Sequence, residues 1–318
     1  MKTGGNESLI RTTHSLRLGA NMSPIPRDFV GYGKSHPKVR WPKGARLALT
    51  FAINYEAGGE RAVGFGDQGP ETFGEFPSYG TPPKRDLAIE SIFEYETRVA
   101  IWRILRTFAK HNAKTTFFAT AKTLETNREA AKEIVARGHE ICSHGYRWIE
   151  HFTLSREEER ETIQKAVASI QRITGQRPVG WYCREPSENT IELLVEEGGF
   201  LYDSDVYNDD LPYYVNVSGK NFLLIPYTPD VNDFHYFSNR FSNAKEFYQY
   251  LKDSFDQMYY ESKENPKMMN IGLHVRISGR PGRTVAVDRF LRYVKAKPKV
   301  WIARRVDIAK WWLEKYRP

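Results

Sequence analysis

Short apolar runs alternate with helical segments along the chain from residue 47 onward, and this rhythm limits the possible folds more than any other feature. The apolar or β-rich runs lie at 47–53, 115–121, 140–144, 178–183, 201–203, 223–226, 268–274 and 300–303. Between and after them come helical patterns at 88–111, 127–137, 155–174, 190–197, 244–261, 284–296 and 306–316. Strands separated by helices pair in parallel, because a parallel connection needs a long crossover and a helix supplies it. The expected fold class is therefore α/β, a distorted (β/α) barrel of six to eight units, whose chemistry gathers at the carboxyl ends of the strands.

Local signals support individual elements. Ile92, Tyr95, Val99, Trp102 and Leu105 recur at helical spacing and predict one amphipathic helix over 88–111. Ser155 followed by Glu158 is a capping box that opens the next long helix. Gly138 and the pair Gly198-Gly199 stop two others. The stretch 57–85 is rich in Gly and Pro without periodicity, which predicts a long ordered or lid-like loop beside the end of the first strand. Residues 1–26 read as a flexible leader, and 27–318 as one hydrolase-sized barrel domain.

Composition excludes several classes. No apolar run reaches the about 18 residues that a spanning helix needs, so no membrane partner is expected. The leader lacks a continuous apolar stretch and does not read as a secretory signal, which makes a cytoplasmic location the default. Cys142 and Cys183 are too few for a disulfide framework and are read as free thiols. The net charge of +8 is unevenly spread: residues 1–48 carry +7, residues 283–318 carry +8, and the middle carries −7. A phosphate-binding groove would place its positive charge on the motif-bearing part of the chain, so no nucleic-acid partner is expected.

Four strand-end segments concentrate reactive side chains: Asn54-Tyr55-Glu56, the run from Ser143 through His144 to Trp148, Cys183-Arg184-Glu185, and His274-Val275-Arg276. A strand-end imidazole or carboxylate is often only a satisfied structural group, but four such segments in one barrel mouth form a candidate site.

The order of these segments resembles the polysaccharide deacetylase (NodB-homology) family, and within it an allantoinase-like branch of ureide breakdown. The likeness runs from about residue 27 to residue 312 and rests on RDFVGYG, NYE, ESIFEYETR, EICSHGYRWIEH, EEGGFLYDSD, NDDLPY, IPYTPDVND and LHVRISGRPGR. Metal-dependent members carry aspartates at the end of the first strand and a second histidine four residues after the first. The resemblance places Ala52, Asn54, His144 and Trp148 at those positions. A zinc site needs three donors of Asp, His or Cys type, and an amide with an indole does not supply them. No metal and no other cofactor is therefore expected, with His151 the one residue that could substitute as a ligand.

Without a metal, water must be deprotonated by a carboxylate or imidazole and the carbonyl polarised by hydrogen-bond donors. Glu56 or His144 is expected to accept the water proton. The resemblance gives His274 the donation of a proton to the leaving nitrogen. Asn54, Tyr55, Trp148, Arg184 and Asp205 are expected to contact substrate, with Trp148 and Tyr55 as flat walls and Arg184 with Asp205, Asp209 and Asp210 as polar holds. The alternative for Glu56 is a plain ion pair with Arg184, and for Asp209 and Asp210 a capped turn.

These residues imply a hydrolase of carbon–nitrogen bonds acting on a small ureide or imide, first of all allantoin. A cyclic imide hydrolase, an N-acetyl polysaccharide deacetylase and a non-catalytic ligand-binding protein are the alternatives. The resemblance also implies a homo-oligomer, with the aromatic helix 244–261 and Trp311-Trp312 as an expected apolar interface.

Overall fold

The computed structural model describes residues 27–76 and 84–318, and the expected leader at 1–26 lies outside the described residues. Among the described residues nine strands form one sheet: β1 (Leu47–Tyr55), β2 (Thr116–Ala119), β3 (Glu140–Ser143), β4 (Gly180–Trp181), β5 (Tyr202–Asp203), β6 (Tyr213–Val217), β7 (Lys220–Leu224), β8 (Lys267–His274) and β9 (Val300–Ile302). Their order is β6-β7-β5-β4-β3-β2-β1-β8, and every pairing is parallel except the hairpin β6–β7. One edge of β1 is divided: Leu47–Leu49 pair with β9, and Ala52–Tyr55 pair with β2. The curled sheet is joined across its gap by a loop rather than a strand, through the bridge of Asn232 to Gly272. This is the expected distorted (β/α) barrel.

The pleat decides which side chains reach the interior. Leu47, Leu49, Phe51, Ile53 and Tyr55 of β1 point outward into the layer beneath the helices, whereas Ala48 and Ala52 point inward. Thr50 and Asn54, on the same alternation, are the polar inward residues of this fully buried strand. On β8, Met269, Ile271 and Leu273 face outward and Met268 inward, which puts Asn270, Gly272 and His274 on the inner face. The outer layer is sealed by aromatic contacts such as Phe51 against Phe108, edge to face at 5.2 Å. Each such buried ring stabilises the fold by roughly 1.5–3 kcal/mol.

The helices are α1 (Leu87–Tyr95), α2 (Ile101–Lys110), α3 (Ala121–Thr126), α4 (Arg128–Ala136), α5 (Arg156–Thr174), α6 (Thr190–Glu197), α7 (Ala244–Glu261), α8 (Val275–Ser278), α9 (Pro281–Lys295) and α10 (Arg305–Lys315). The capping box of Ser155 and Glu158 is present on α5. The helix expected over 88–111 departs from the prediction in one respect. A π-helical turn, Glu96–Ala100, sits between α1 and α2. Its wider turn shifts the helical phase, so Val99 is 37% exposed, while Ile92 and Leu105 are buried as expected and the buried face also takes in Phe93, Glu96, Ala100, Ile104 and Phe108. Such bulges frequently mark functional sites.

The hairpin strand β6 and the short helices α3 and α8 add to the expected elements, and one further expectation changes. Trp312 offers no outer surface, because it is buried against Trp41 and Tyr316, with ring centroids at 5.7 and 4.6 Å. No described helix is long and apolar enough to cross a membrane.

Candidate active site

Three inward positions at the ends of β1, β3 and β8 place Glu56, His144 and His274 together. Glu56 Oε1 lies 3.2 Å from His144 Nε2 and 3.9 Å from His274 Nε2. Its other oxygen accepts from Nη1 of Arg276, on the first turn of α8. All three expected catalytic residues therefore meet, and all are buried. The arginine that pairs with Glu56 is Arg276, not the Arg184 considered from the sequence.

Each imidazole is fixed by its second nitrogen. His144 Nδ1 donates to the Tyr182 carbonyl at 3.1 Å, and its ring begins a stack that continues through Tyr182 at 5.0 Å to Tyr227 at 5.1 Å. One ring nitrogen of His144 thus faces a carbonyl and the other a carboxylate. His274 Nδ1 donates to Asp233 Oδ1 at 2.7 Å. The same carboxylate accepts the His274 backbone N–H at 2.8 Å, the Ser278 backbone N–H and the Ser278 hydroxyl. That leaves His274 Nε2 as the ring nitrogen turned toward the barrel mouth, the usual arrangement of an imidazole oriented by a carboxylate.

Charge in this corner is unequally shared. Burial raises the proton affinity of Glu56, but Arg276 first, then His274 and His144, outweigh it and hold the carboxyl well below the usual range. Glu96, delivered by the π-turn, accepts the Glu56 backbone N–H at 2.7 Å. Burial, reinforced by the charge on Glu56 and only partly offset by Arg276, pushes Glu96 up to about 8.

The remaining expected site residues divide. Asn54 points into the mouth, donating to the Leu273 carbonyl at 3.1 Å and the Tyr227 hydroxyl at 3.3 Å. Trp148 is buried beside Phe93, with the Arg276 guanidinium 5.0 Å and the Arg184 guanidinium 4.0 Å from its ring centre. Arg184 is committed to Glu71 at 2.6 Å and Glu150 at 2.9 Å, so it staples the 57–76 loop to the rim. Tyr55 does not join the cluster: strand alternation turns its ring outward, where its hydroxyl meets Thr97 Oγ1 at 2.8 Å. Asp205 is turned to the Cys183 backbone N–H at 3.0 Å, bracing two strand ends. Asp209 caps Leu211, and Asp210 pairs with Lys267 at the amino end of β8, so these two form the turn and lie away from the mouth.

Metal binding in the family's usual place does not fit these residues. Asn54 presents its amide nitrogen to two oxygens, Trp148 offers an indole, and His144 Nε2 faces Glu56. His151 stands apart from the Glu56, His144 and His274 cluster, wholly buried with Nδ1 held 3.1 Å from Glu159 Oε1 on α5 and its ring against Trp181. Among the described residues, no group of three or more His, Cys, Asp or Glu side chains is placed to hold a metal ion.

Similarity to known proteins carries the same outline. The polysaccharide deacetylase family model matches residues 81–192. A protein of Schizosaccharomyces pombe named for the polysaccharide deacetylases is 38% identical over 313 residues, covering 91% of this chain and 98% of that one. The chain belongs to the polysaccharide deacetylase family. A crystal structure titled Puue Allantoinase superposes with a TM-score of 0.89 at 44% identity, over 92% of this chain and 99% of that one. A Pseudomonas aeruginosa PAO1 protein described as a probable polysaccharide deacetylase gives a TM-score of 0.88 at 46% identity over the same shares. The chain is thus a family hydrolase in an α/β barrel of this type.

Reading the sequence missed three members of this deacetylase-family site: Asp233, Arg276 and Glu96. Asp233 closes the segment IPYTPDVND and Arg276 stands two residues past His274, so both lay within matching segments and lacked only a stated role. Glu96 lay within ESIFEYETR in the same way and likewise lacked a stated role.

Proposed function

We propose that the protein hydrolyses a carbon–nitrogen bond of a small cyclic amide, with allantoin to allantoate as the first assignment. The observation that carries this reading is the combination at one barrel mouth of Asn54 and Trp148 in former ligand positions with a carboxylate-oriented imidazole, Asp233–His274. The likeness to the allantoinase structure over nearly the whole of both chains supports it.

In this mechanism His274 is the proton carrier. Water lodges beside Glu56 and His274 Nε2, adds its oxygen to the amide carbonyl carbon, and gives one proton to Nε2. The tetrahedral oxyanion then reforms the carbonyl as the carbon–nitrogen bond breaks, and His274 returns that proton to the leaving nitrogen. Asp233 fixes the ring and stabilises the imidazolium, a role worth several orders of magnitude in related arrangements. Glu56, held ionised by Arg276, is a poor acceptor for the water proton, so its part is to carry negative charge between the two imidazoles. This reassigns the base that the sequence had placed on Glu56 or His144.

A second reading, N-acetyl polysaccharide deacetylation, is favoured by the names of several relatives. One is a Helicobacter pylori peptidoglycan deacetylase, 34% identical over 177 residues, which is 55% of this chain and 59% of that protein. Parallel assays of the purified protein on allantoin, succinimide and an acetylated chitooligosaccharide separate the readings. Turnover of allantoin alone is expected. Release of acetate from the oligosaccharide without ring opening would replace the first assignment with the second.

A further inference from the structure

Two buried carboxyl groups share one guanidinium under the barrel mouth, and the hydrolytic steps above use only one of them. Glu56 forms the direct ion pair with Arg276 Nη1, whereas Glu96 Oε2 stands 3.7 Å from the same nitrogen. Both acids and the arginine are at most 1% exposed. Glu96 Oε2 is buried without a hydrogen-bond partner, as are Nε and Nη2 of Arg276. A carboxyl left so poorly satisfied is costly unless it keeps a compensating contact. Glu96, at the head of the π-turn Glu96–Ala100, keeps one such contact, with the backbone N–H of Glu56 that directly follows β1.

We propose that Glu96 is a positioning residue of the hydrolytic centre, fixing the main chain of Glu56 so that the Glu56 carboxylate stays on Arg276 and between His144 and His274. This rests on the reading of the Glu56–His274 corner as the hydrolytic one. The physical logic is a division of charge. One guanidinium neutralises one buried carboxylate, and Arg276 leans on Glu56. Glu96 therefore serves as the neutral partner, anchoring the Glu56 backbone through Oε1 without competing for the arginine. The other titratable groups facing this cluster are Glu60 and Glu71, which act on Glu96 and Arg276, and the two imidazoles, which face Glu56 from the ends of β3 and β8. If Glu96 only filled space, an apolar residue of similar volume would replace it at no loss, as it does for many buried ionic groups.

The test compares Glu96→Gln with Glu96→Leu in the full-length protein by steady-state kinetics across pH and by NMR of the His144 and His274 rings. Glu96→Gln keeps an acceptor for the Glu56 N–H and stays neutral. It should hold kcat within about fivefold at neutral pH and lose the alkaline fall in kcat that ionisation of Glu96 produces. Glu96→Leu removes the acceptor and should lower kcat on the order of 10–100-fold with KM nearly unchanged, as expected for loss of a group supporting a reacting one. Its imidazole signals should move. Wild-type kcat in Glu96→Leu, or ring signals and an alkaline limb in Glu96→Gln that coincide with wild type, would overturn the proposal. Should Glu96→Leu fail to fold, Glu96→Gln decides alone. The NMR comparison needs no substrate, so a protein inert toward cyclic amides would defeat the assigned reaction while leaving the positioning role open to the same spectra.

Discussion

Asp233 holds His274 at two points, accepting the ring Nδ1–H at 2.7 Å and the backbone N–H of the same residue at 2.8 Å. One carboxylate thus fixes both the tautomer of the imidazole and the place where β8 ends.

Replacement of Asp233 by Asn offers an amide where the ring needs an acceptor and favours the wrong tautomer. The expected loss in kcat is on the order of 10²–10⁴-fold, with the fold retained by circular dichroism. Turnover within threefold of wild type would exclude the dyad from catalysis.

Arg276 is the counter-ion for the buried Glu56 and the nearest cation to Glu96. Arg276→Met leaves an uncompensated buried carboxylate and should destabilise the protein by about 3–5 kcal/mol in urea unfolding. A change below about 1 kcal/mol would mean that the pair contributes little to stability.

The pH dependence of stability follows from the raised proton affinity of Glu96. Between the ordinary carboxyl range and about pH 8, the folded state keeps a proton at Glu96 that the unfolded chain has lost. Unfolding free energy should therefore decline across that window relative to Glu96→Gln and level off above it. Glu56 has the opposite sign, since its depressed affinity adds stability above the unfolded carboxyl range that is lost in strong acid. Parallel stability profiles for wild type and Glu96→Gln from pH 5 to 8 would contradict the first statement.

Chelation should leave the hydrolytic activity within about twofold, because Asn54, Trp148 and the committed His144 do not form a three-donor site. Loss of activity on dialysis against chelator, with recovery on adding zinc, would show that another donor set exists.

Gly272 lies on the inner face of β8, where an added Cβ would run into the Tyr227 hydroxyl and come within 2.6 Å of Asn232 Nδ2. Gly272→Ala should cost about 1–3 kcal/mol by overpacking and also disturb Asn54, which donates to that hydroxyl. Wild-type stability and kinetics would show that the loop across the sheet gap yields freely.

Asn54, His144 and His274 were readable because strand alternation and strand ends place side chains by arithmetic, and the interior of a parallel barrel leaves one direction for them. Tyr55 failed by the same rule: it stands one residue from Asn54 and therefore points the other way. Val99 failed because a π-turn changes the helical phase after Glu96, and nothing in the local composition announces it. Arg184 and Arg276 are equally basic and equally near a strand end, so only packing tells which one meets Glu56.

The order of apolar runs and caps determined the barrel, because period and residue type are fixed by local chemistry. The strand-end motifs carried the resemblance that gave the family and implied Asn54 and Trp148 in place of metal donors. Tertiary structure alone decided that Asp233 orients His274, that Arg276 rather than Arg184 neutralises Glu56, and that Glu96 lies beneath it. These pairs join residues 40 to 220 positions apart. Their partners are selected by which buried charges the packed chain brings within reach, and a linear pattern does not encode that choice.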